Sequence, residues 1–480
     1  MILKTILRST VAVVLGLGAV GSCFGNEPTY VDHGAARPNI VFIFADDWGW
    51  GDLGCHGHPY VKTPNIDGLA AAGTDFHRFS VASGVCSPSR TAVMTGHFPA
   101  RYGINGHFAW VPSNAKRNMP DWLDTNAPTI PKFLKLAGYR TAHFGKWHLA
   151  NNMIVDSPLP SEYGYDQYGA FNCAGEQMPV HEDAKNAIKF MESCHQNQDP
   201  FFINLWLHEP HTPFHTVPKY RWRFQELAEP DNIYASVLSH ADDRIGEVLD
   251  ALDRLELTNH TLVIFSSDNG PARGSANAEM GLMHDTATGA GFNIAAAKGI
   301  TGGRKGYKAS LFEGGVGVPF IARWPGKIAA GKVDRMSLLS AVDLLPTFCE
   351  IAGVALPDSY SPDGVSQLAA LQGSGSAKRD KPLFWKAMSR WPARKTQPNH
   401  WVSFAVVSEN WKLVTNQDGS YVELYDLVAD GLETSDLSKL KPEVTKSLVE
   451  KIEAWKRTLP EKPSGNVFSS ERIKSSENER

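Results

Sequence analysis

Apolar runs alternate with helical periodicities along most of the chain, and this pattern predicts an α/β fold. Residues 39–45, 201–207 and 261–265 are apolar at nearly every position, which is typical of strands buried on both faces of a sheet. Between the last two runs, from 233 to 255, apolar residues recur every three or four positions and indicate a long helix facing the sheet. The alternation predicts a large mixed, mostly parallel sheet flanked by helices on both faces.

Shorter elements follow the same order. The stretches 63–73 and 129–138 each combine a polar cap, an early proline and a final glycine, which are the usual start and stop signals of a helix. The stretch 139–145 then predicts another strand. In contrast, 271–307 is rich in Gly, Ala and Asn and has no periodicity, so we expect a functional or mobile loop outside the core.

The chain after residue 372 predicts a smaller unit. A Gly- and Ser-rich linker at 373–380 precedes three short apolar runs, which predict the strands of a small antiparallel sheet. These runs are 381–385, 401–407 and 411–414. A helix is expected at about 444–459, and the charged residues from Ser469 onward predict a frayed tail.

The N-terminus has the features of an export signal. Lys4 and Arg8 precede an apolar run over 11–20, which is too short for a transmembrane helix. We expect an exported protein, periplasmic or secreted, with no transmembrane span in the mature chain. Cys23 lies where bacterial lipoproteins bear their lipid anchor, and both an anchor and ordinary cleavage nearby stay open. The predicted parts are a signal peptide over 1–25, a catalytic domain over 26–372, and a C-terminal subdomain with the antiparallel sheet and final helix over 373–480.

The amino-acid composition excludes several classes of protein. The chain has 480 residues, 42% of them hydrophobic, which is ordinary for a globular protein and excludes a disordered or collagen-like one. Its 47 Lys+Arg and 51 Asp+Glu give a net charge of −4, so we expect no nucleic-acid partner. The cysteines beyond the signal region are widely spaced and predict no disulfide framework or zinc ribbon. They are Cys55, Cys86, Cys173, Cys194 and Cys349.

Polar residues follow two of the predicted strands where each strand ends. Asp46 and Asp47 come directly after the first strand, and Asp268 and Asn269 come just after the run at 261–265. Ligands of open α/β sheets bind beyond the carboxyl ends of the strands, so both pairs converge if these strands are parallel neighbours. Oxygen ligands favour calcium or magnesium over zinc or copper. Either pair alone is equally consistent with turn residues, but together the pairs favour a metal site.

The segment 85–96 combines a cysteine, a proline and an arginine. Pro88 suits the first position of a helix and Gly96 its end, so Cys86 is expected at a helix N-terminus. The free amides of such a turn attract an anion, and Arg90 projects from the same part of the helix. The alternative is that Cys86 is simply buried in the apolar core, which is the more common environment of a free cysteine.

The run Cys86-Ser-Pro-Ser-Arg90 followed by Thr95-Gly96 resembles the signature of the type I sulfatases, the formylglycine-dependent family of the alkaline-phosphatase-like superfamily. The similarity extends from about Pro38 to Asp426 and includes further motifs. These are Asp46-Asp47, 145–149, 210–213, 268–270, and Lys308 ahead of 313–315. The stretches 46–54 and 169–173 are most similar to N-acetylgalactosamine-6-sulfatases and related bacterial glycan sulfatases.

The resemblance implies a modified residue and a bound metal. Cys86 would be oxidised to formylglycine (3-oxoalanine) by a formylglycine-generating maturation enzyme, and the aldehyde hydrate would attack the sulfur of the ester. The metal would be calcium, with magnesium as the weaker alternative. Its ligands would be Asp46, Asp47, Asp268, Asn269 and the hydrate at Cys86.

The resemblance also implies roles for the side chains around the sulfate. Arg90 and His148 would hold and orient the hydrate. Lys146 and Lys308 would bind sulfate oxygens, and His211 would bind substrate and donate a proton to the departing alcohol. Without the motifs, either lysine would be interpreted as a solvated surface charge.

His208, His211 and His215 lie within a short segment and offer a zinc site as a second interpretation. Pro210 and Pro213 interrupt helical spacing there, and the oxygen-rich pairs already define a site for a hard cation. We therefore expect His208 to contact the substrate instead.

These features together predict an exported sulfatase that hydrolyses sulfate esters of a sulfated oligo- or polysaccharide of galactose or N-acetylgalactosamine type. Two alternatives remain. One is a phosphodiesterase or phosphonate hydrolase on the same scaffold, and the other is an inactive protein that binds sulfated glycans. We expect the loops 97–125, 160–185 and 271–307 to select the sugar.

Overall fold

The computed structural model describes residues 29–30, 37–274, 281–293, 299–375, 379–388, 402–463 and 465–478. The predicted signal peptide over 1–25 and Cys23 lie outside these residues. The strands are, in chain order, β1 (Thr29–Tyr30), β2 (Asn39–Ala45), β3 (Thr74–Phe76), β4 (Phe79–Ser80), β5 (Arg140–Lys146), β6 (Gln167–Phe171), β7 (Phe201–Trp206), β8 (Thr261–Ser267), β9 (Gly281–Asp285), β10 (Gly289–Asn293), β11 (Phe320–Arg323), β12 (Lys332–Asp334), β13 (Leu339–Ser340), β14 (Val354–Ala355), β15 (Leu383–Lys386), β16 (Phe404–Ser408), β17 (Trp411–Thr415) and β18 (Val422–Asp426). The helices are α1 (Pro64–Ala71), α2 (Cys86–Thr95), α3 (Val111–Lys116), α4 (Ile130–Leu136), α5 (Asp183–Asn197), α6 (Pro218–Arg223), α7 (Glu229–Arg254), α8 (Glu313–Val316), α9 (Leu344–Ala352), α10 (Leu368–Leu371), α11 (Pro442–Lys456) and α12 (Ser470–Asn478).

The main sheet has eight strands in the order β12-β3-β11-β8-β2-β7-β5-β6. Neighbouring strands run parallel from β8 across to β6, and β12 is parallel to β3. Among the described strands of this sheet, only β11 runs antiparallel to both of its neighbours. The prediction of a large mixed, mostly parallel sheet is confirmed.

Helices cover both faces of this sheet. Side chains of β2 alternate between two apolar cores, with Phe42 and Phe44 in one and Val41 and Ile43 in the other. The first core receives apolar side chains from α2, α4 and α9, and the second from α1, α5 and α7. Because both faces are buried, the strand is apolar at every position but its first, which explains its unbroken run in the sequence.

The C-terminal sheet has the order β15-β16-β17-β18, with every neighbouring pair antiparallel. Helix α11 packs on it through Leu448, Ile452 and Trp455. This sheet shares the first apolar core with the main sheet, and the indole of Trp385 donates to the carbonyl of Val81 at 2.7 Å. The predicted small antiparallel sheet with a helix is confirmed. Its fourth strand, β18, was not predicted from the sequence.

The prediction of a frayed tail from Ser469 onward is wrong. The backbone amide of Ser469 donates to Asp121 at 3.0 Å, and its hydroxyl donates to Asp156 at 2.8 Å. The amide of Ser470 also donates to Asp156, so two carboxylates from distant segments fix the start of α12. These partners lie more than three hundred positions away in sequence, where no local pattern reveals them.

The Gly-rich stretch 271–307 contains regular structure. Strands β9 and β10 pair antiparallel as a hairpin, with Gly289 opposite Asp285. Most of their residues are exposed or half-buried, so the stretch lies outside the core as expected.

Among the described residues, no helix combines the length and the apolar character needed to cross a membrane. Every cysteine in the described part of the chain is a free thiol, including Cys173 and Cys194.

A buried charge cluster joins the C-terminal sheet to α8. Lys412 on β17 is fully buried and lies 2.8 Å from a carboxylate oxygen of Glu313 and 3.0 Å from one of Glu433. Glu433 also accepts the backbone amide of Glu313 at 2.6 Å. The ammonium of Lys412 therefore compensates two buried carboxylates that would otherwise face each other.

Replacing Lys412 by methionine is expected to lower the free energy of unfolding by about 3–5 kcal/mol, because it leaves the buried carboxylate of Glu433 without its cation and Glu313 with only Arg304 among the described residues, at 3.7 Å. Urea unfolding of the purified protein measures this change. Lys439→Met, at an exposed position, is the matched control and should change stability by less than about 0.5 kcal/mol. Equal effects of the two substitutions would contradict the role of the cluster.

Candidate active site

The carboxyl ends of β2 and β8 bring four polar side chains together. The two strands are parallel neighbours in register, with Ala45 opposite Ser267. Asp46 and Asp47 follow β2, and Asp268 and Asn269 follow β8. Carboxylate oxygens of the three aspartates lie within 4.8 Å of one another, and all four residues are buried.

These side chains fit a hard divalent cation. Oδ1 of Asp46 and Oδ1 of Asn269 are buried and have no hydrogen-bond partner. The amide nitrogen of Asn269 donates to Asp47 at 2.7 Å, which leaves its oxygen free as a ligand. Burial and the neighbouring charge of Asp46 raise the pKa of Asp268 well above its ordinary value, because carboxylates this close repel each other. A cation between them removes that repulsion, and an all-oxygen donor set favours calcium or magnesium.

Three cationic side chains form ion pairs with these carboxylates. Arg90 is fully buried and donates to one oxygen of Asp268 from two nitrogens, at 3.0 and 2.6 Å. Lys146 pairs with Asp46, and the ammonium of Lys308 lies 2.7 Å from the carboxylate of Asp47. Burial raises the pKa of Asp46, but nearby positive charges, including these three cations, outweigh it and hold the pKa well below its ordinary value.

The N-terminus of α2 places Cys86 beside these charges. Cys86 is the first residue of the helix and is 3% exposed, and the whole helix is buried. Cys86, Lys146 and Lys308 line one cavity. Free backbone amides of the first turn and two ammonium groups therefore surround residue 86, which is an arrangement suited to an anion.

His148 lies on the same cavity in a single defined tautomer. Its Nε2 lies 3.0 Å from the carbonyl of Phe108, and since a carbonyl only accepts, this nitrogen carries the proton. Its Nδ1 is buried without a partner. Burial and the charge of Lys146 lower the pKa of His148 well below its ordinary value, so the ring is neutral. The free Nδ1 can accept a hydrogen bond from a hydroxyl group in the cavity.

His211 and His208 occupy different positions relative to this cavity. His211 lines it, and its Nε2 lies 3.9 Å from Asp47, while its Nδ1 lies 2.5 Å from the carbonyl of Thr212. His208 is 3% exposed, directs Nε2 to the carbonyl of Pro213 at 2.9 Å, and does not line the cavity. Contact of His208 with substrate stays a prediction.

The cavity has a volume of about 740 Å³ and receives residues from distant parts of the chain. The loops predicted to select the sugar contribute Asn105, His107, Asn172, Arg273, His284 and Asp285. Two further residues of the cavity wall were not predicted. Asn152 donates to Thr286 at 2.8 Å and so joins the cavity wall to the β9–β10 hairpin, and Met388 lies just after β15. Nothing in the local pattern marks either residue.

Comparison with protein-family models gives two matches. The sulfatase model matches residues 38–354. The model of the N-sulphoglucosamine sulphohydrolase C-terminal region matches residues 305–458.

Individual proteins that are similar to this chain include named sulfatases. The chain is 31% identical to mouse N-acetylgalactosamine-6-sulfatase over 389 residues, which is 72% of this chain and 68% of the relative. It is 26% identical to the N-acetylgalactosamine-6-O-sulfatase of Bacteroides thetaiotaomicron, over 92% of this chain and 97% of the relative. Among solved structures, Ps i-CgsB in complex with k-i-k-neocarrahexaose aligns with a TM-score of 0.72 and 25% identity, over 92% of this chain and 98% of that one.

Proposed function

Because the chain belongs to the sulfatase family and is a carbohydrate sulfatase, we propose that it removes sulfate from a glycan of galactose or N-acetylgalactosamine type, using formylglycine at position 86 and calcium. One observation supports this most directly. Cys86, Lys146 and Lys308 line a single cavity beside three buried carboxylates. Such a site can hold a sulfate anion and a divalent cation at the same time.

Sulfate binding follows from the charges in the cavity. The ammonium groups of Lys146 and Lys308 donate to sulfate oxygens, on which negative charge grows as the ester bond breaks. Both lysines are anchored to carboxylates, so they need little reorganisation when substrate enters. Arg90 holds Asp268 in place and is itself fixed by the carbonyl of Lys146 at 3.1 Å.

Two groups beyond the standard side chains would supply chemistry here: an aldehyde hydrate at residue 86 would offer a nucleophilic hydroxyl, and a divalent cation held by Asp46, Asp47, Asp268 and Asn269 would stabilise negative charge. His148 accepts a hydrogen bond at its free Nδ1 and so orients a hydroxyl at residue 86.

His211 would donate the proton that the departing alcohol needs. Burial, with the charges of Lys308 and Lys146, lowers the pKa of His211 well below its ordinary value despite the nearby Asp46. Its Nδ1 proton is held by the carbonyl of Thr212, so Nε2 is the nitrogen available to the substrate. The negative charge of a bound sulfate ester favours protonation there, which makes donation depend on substrate binding.

The names of the relatives support the choice of sugar. Two of them are described as sulfatases of N-acetylgalactosamine, and the solved neighbour holds a neocarrahexaose. The cavity wall offers Asn105, Asn172, Arg273 and Asp285, which can hydrogen-bond sugar hydroxyls and acetamido groups. We also propose export to the periplasm or the medium, and activation by a formylglycine-generating enzyme, on the basis of the sequence.

A panel of sulfated substrates tests the proposed function. We expect kcat/KM on 6-O-sulfated galactose or N-acetylgalactosamine oligosaccharides to exceed that on sulfated glucosamine by at least about tenfold. Sulfate release is measured by ion chromatography with and without a chelator, and calcium should restore chelated enzyme better than magnesium. A higher kcat/KM on sulfated glucosamine, or on a phosphodiester, would contradict the assignment, and the second result would favour the phosphodiesterase alternative.

A further inference from the structure

A second cluster of metal-ligating side chains lies apart from the carboxylates of the active site. It consists of His56, in the short 3-10 turn Gly54–His56, Asp75 on β3, and His77 just after that strand. Their ligand atoms lie within 4.8 Å of one another. The side chain of His56 is 1% exposed, that of Asp75 7% and that of His77 18%, so solvent reaches the cluster from one side.

Hydrogen bonding leaves the nitrogens of this cluster pointing at one oxygen. Nδ1 of His56 lies 2.6 Å from the carbonyl of Trp50 and must therefore carry a proton. In a neutral ring the other nitrogen, Nε2, then presents a lone pair, yet it lies 2.8 Å from Oδ2 of Asp75. Nε2 of His77 approaches the same oxygen at 3.1 Å. Two lone pairs cannot face each other at such a distance without a cation between them, either a second proton or a metal ion.

The arrangement matches what a transition metal requires. A metal-bound histidine usually donates its other ring N–H to a backbone carbonyl, as His56 does to Trp50. Ligand atoms of a tetrahedral zinc site lie about 3.3 Å apart, given bond lengths of about 2.0–2.2 Å. The distances of 2.8 and 3.1 Å reach that value with shifts of a few tenths of an ångström. Oδ1 of Asp75 is buried without a hydrogen bond, so the carboxylate keeps unused coordinating capacity.

The donor atoms of this cluster differ from those of the active-site carboxylates. Two imidazoles and one carboxylate form a borderline donor set that suits zinc, in contrast to the all-oxygen set formed by Asp46, Asp47 and Asp268.

From this geometry we propose that His56, Asp75 and His77 form a structural zinc site, with water as the fourth ligand. The site would join segments that support the active site. The indole of Trp50 stacks on His56 at 3.9 Å, and Trp50 follows Asp46 and Asp47 in the chain. Arg304 lies over the same indole at 4.5 Å, donates to the carbonyl of His77 at 3.1 Å, and precedes Lys308. Zinc would thus stabilise the loops that bear metal ligands and one sulfate-binding lysine.

A third cluster, His181, Glu209 and His240, also offers two imidazoles and a carboxylate, but its charge is less favourable. Glu209 is already paired with the buried guanidinium of Arg244, whose positive charge opposes a second cation. The proposal therefore distinguishes two clusters with the same kinds of donor atom, and this makes His181 a matched control.

Zinc titration of the full-length enzyme in saturating calcium tests the proposal, because calcium occupies the oxygen site. We expect wild-type protein to bind a single equivalent of zinc by calorimetry and to gain thermal stability from it. His77→Gln and Asp75→Asn should weaken zinc binding by more than about tenfold, while His181→Gln should not. Cobalt(II) in place of zinc should give the visible absorption of a tetrahedral site in wild type and His181→Gln only.

Three outcomes would overturn the site. They are absence of zinc binding by the wild-type protein, unchanged zinc affinity in His77→Gln and Asp75→Asn, and loss of the zinc equivalent in His181→Gln. Melting temperatures of all variants without zinc show that each one folds. None of these readouts depends on sulfatase activity, so failure here leaves the proposed substrate untouched.

Discussion

Replacing Cys86 by alanine is expected to reduce sulfatase activity by on the order of 10⁵-fold or more, because the substitution removes the nucleophile and its precursor together. Cys86 is 3% exposed at the first turn of α2, so the small alanine fits without disturbing the packing. Arg90, Lys146 and Lys308 remain in place and should still bind a sulfate ester. The loss should therefore appear in kcat, while KM changes little.

Mass spectrometry shows whether residue 86 carries the modification. Conversion of a cysteine to formylglycine lowers its mass by about 18 Da, and the peptide that contains Cys86 should show this change in active wild-type enzyme. Cys55→Ala, at an exposed thiol, is the matched control and should keep both the mass shift and the activity. Full activity with an unmodified thiol at position 86 would refute the formylglycine mechanism, and an unmodified, inactive wild type would favour the glycan-binding alternative.

The main sheet was predictable because burial on both faces leaves a strong local signal. The apolar run at 39–45 coincides with β2, and the run at 201–207 extends one residue past β7. Helix α7 begins at Glu229, four residues before the predicted start, because its first turn depends on Pro230 and acidic residues and not on apolar ones. Elements with exposed faces gave weaker signals.

The missed elements have two different physical causes. Strands β9 and β10 are Gly-rich and largely exposed, so neither apolar alternation nor β-branched content marks them. Helix α12 starts where Asp121 and Asp156 accept its first amides. No window of local sequence contains such partners, and single-sequence patterns cannot predict them.

The residues of the candidate site could be predicted from the sequence, but the ion pairs between them could not. The motifs named Asp46, Asp268 and Lys308, whereas only the structure shows which cation pairs with which carboxylate. Lys308 pairs with Asp47, Lys146 with Asp46, and Arg90 with Asp268. Each carboxylate of the proposed metal site is therefore also the anchor of one cationic side chain, which couples metal binding to sulfate binding.

This coupling gives Asp268→Asn a large expected effect. The substitution keeps the shape of the side chain but removes one negative charge from the metal site and the anionic acceptor of two hydrogen bonds from Arg90. Activity should fall by about 10³-fold or more, because both a cation and a preorganised donor lose their support. Calcium affinity, measured by equilibrium dialysis, should fall in parallel, and excess calcium should recover only part of the activity.

Asp250→Asn is the matched control for this experiment, since Asp250 is exposed on α7, and it should change neither calcium affinity nor activity. Arg90→Lys separates the two causes, because it keeps a positive charge beside Asp268 but cannot make the same two-nitrogen contact. We expect Arg90→Lys to retain calcium and to lose activity, whereas Asp268→Asn loses both. If Asp268→Asn binds calcium as tightly as the wild type, Asp268 is not a metal ligand, and the carboxylate would then serve only to position Arg90.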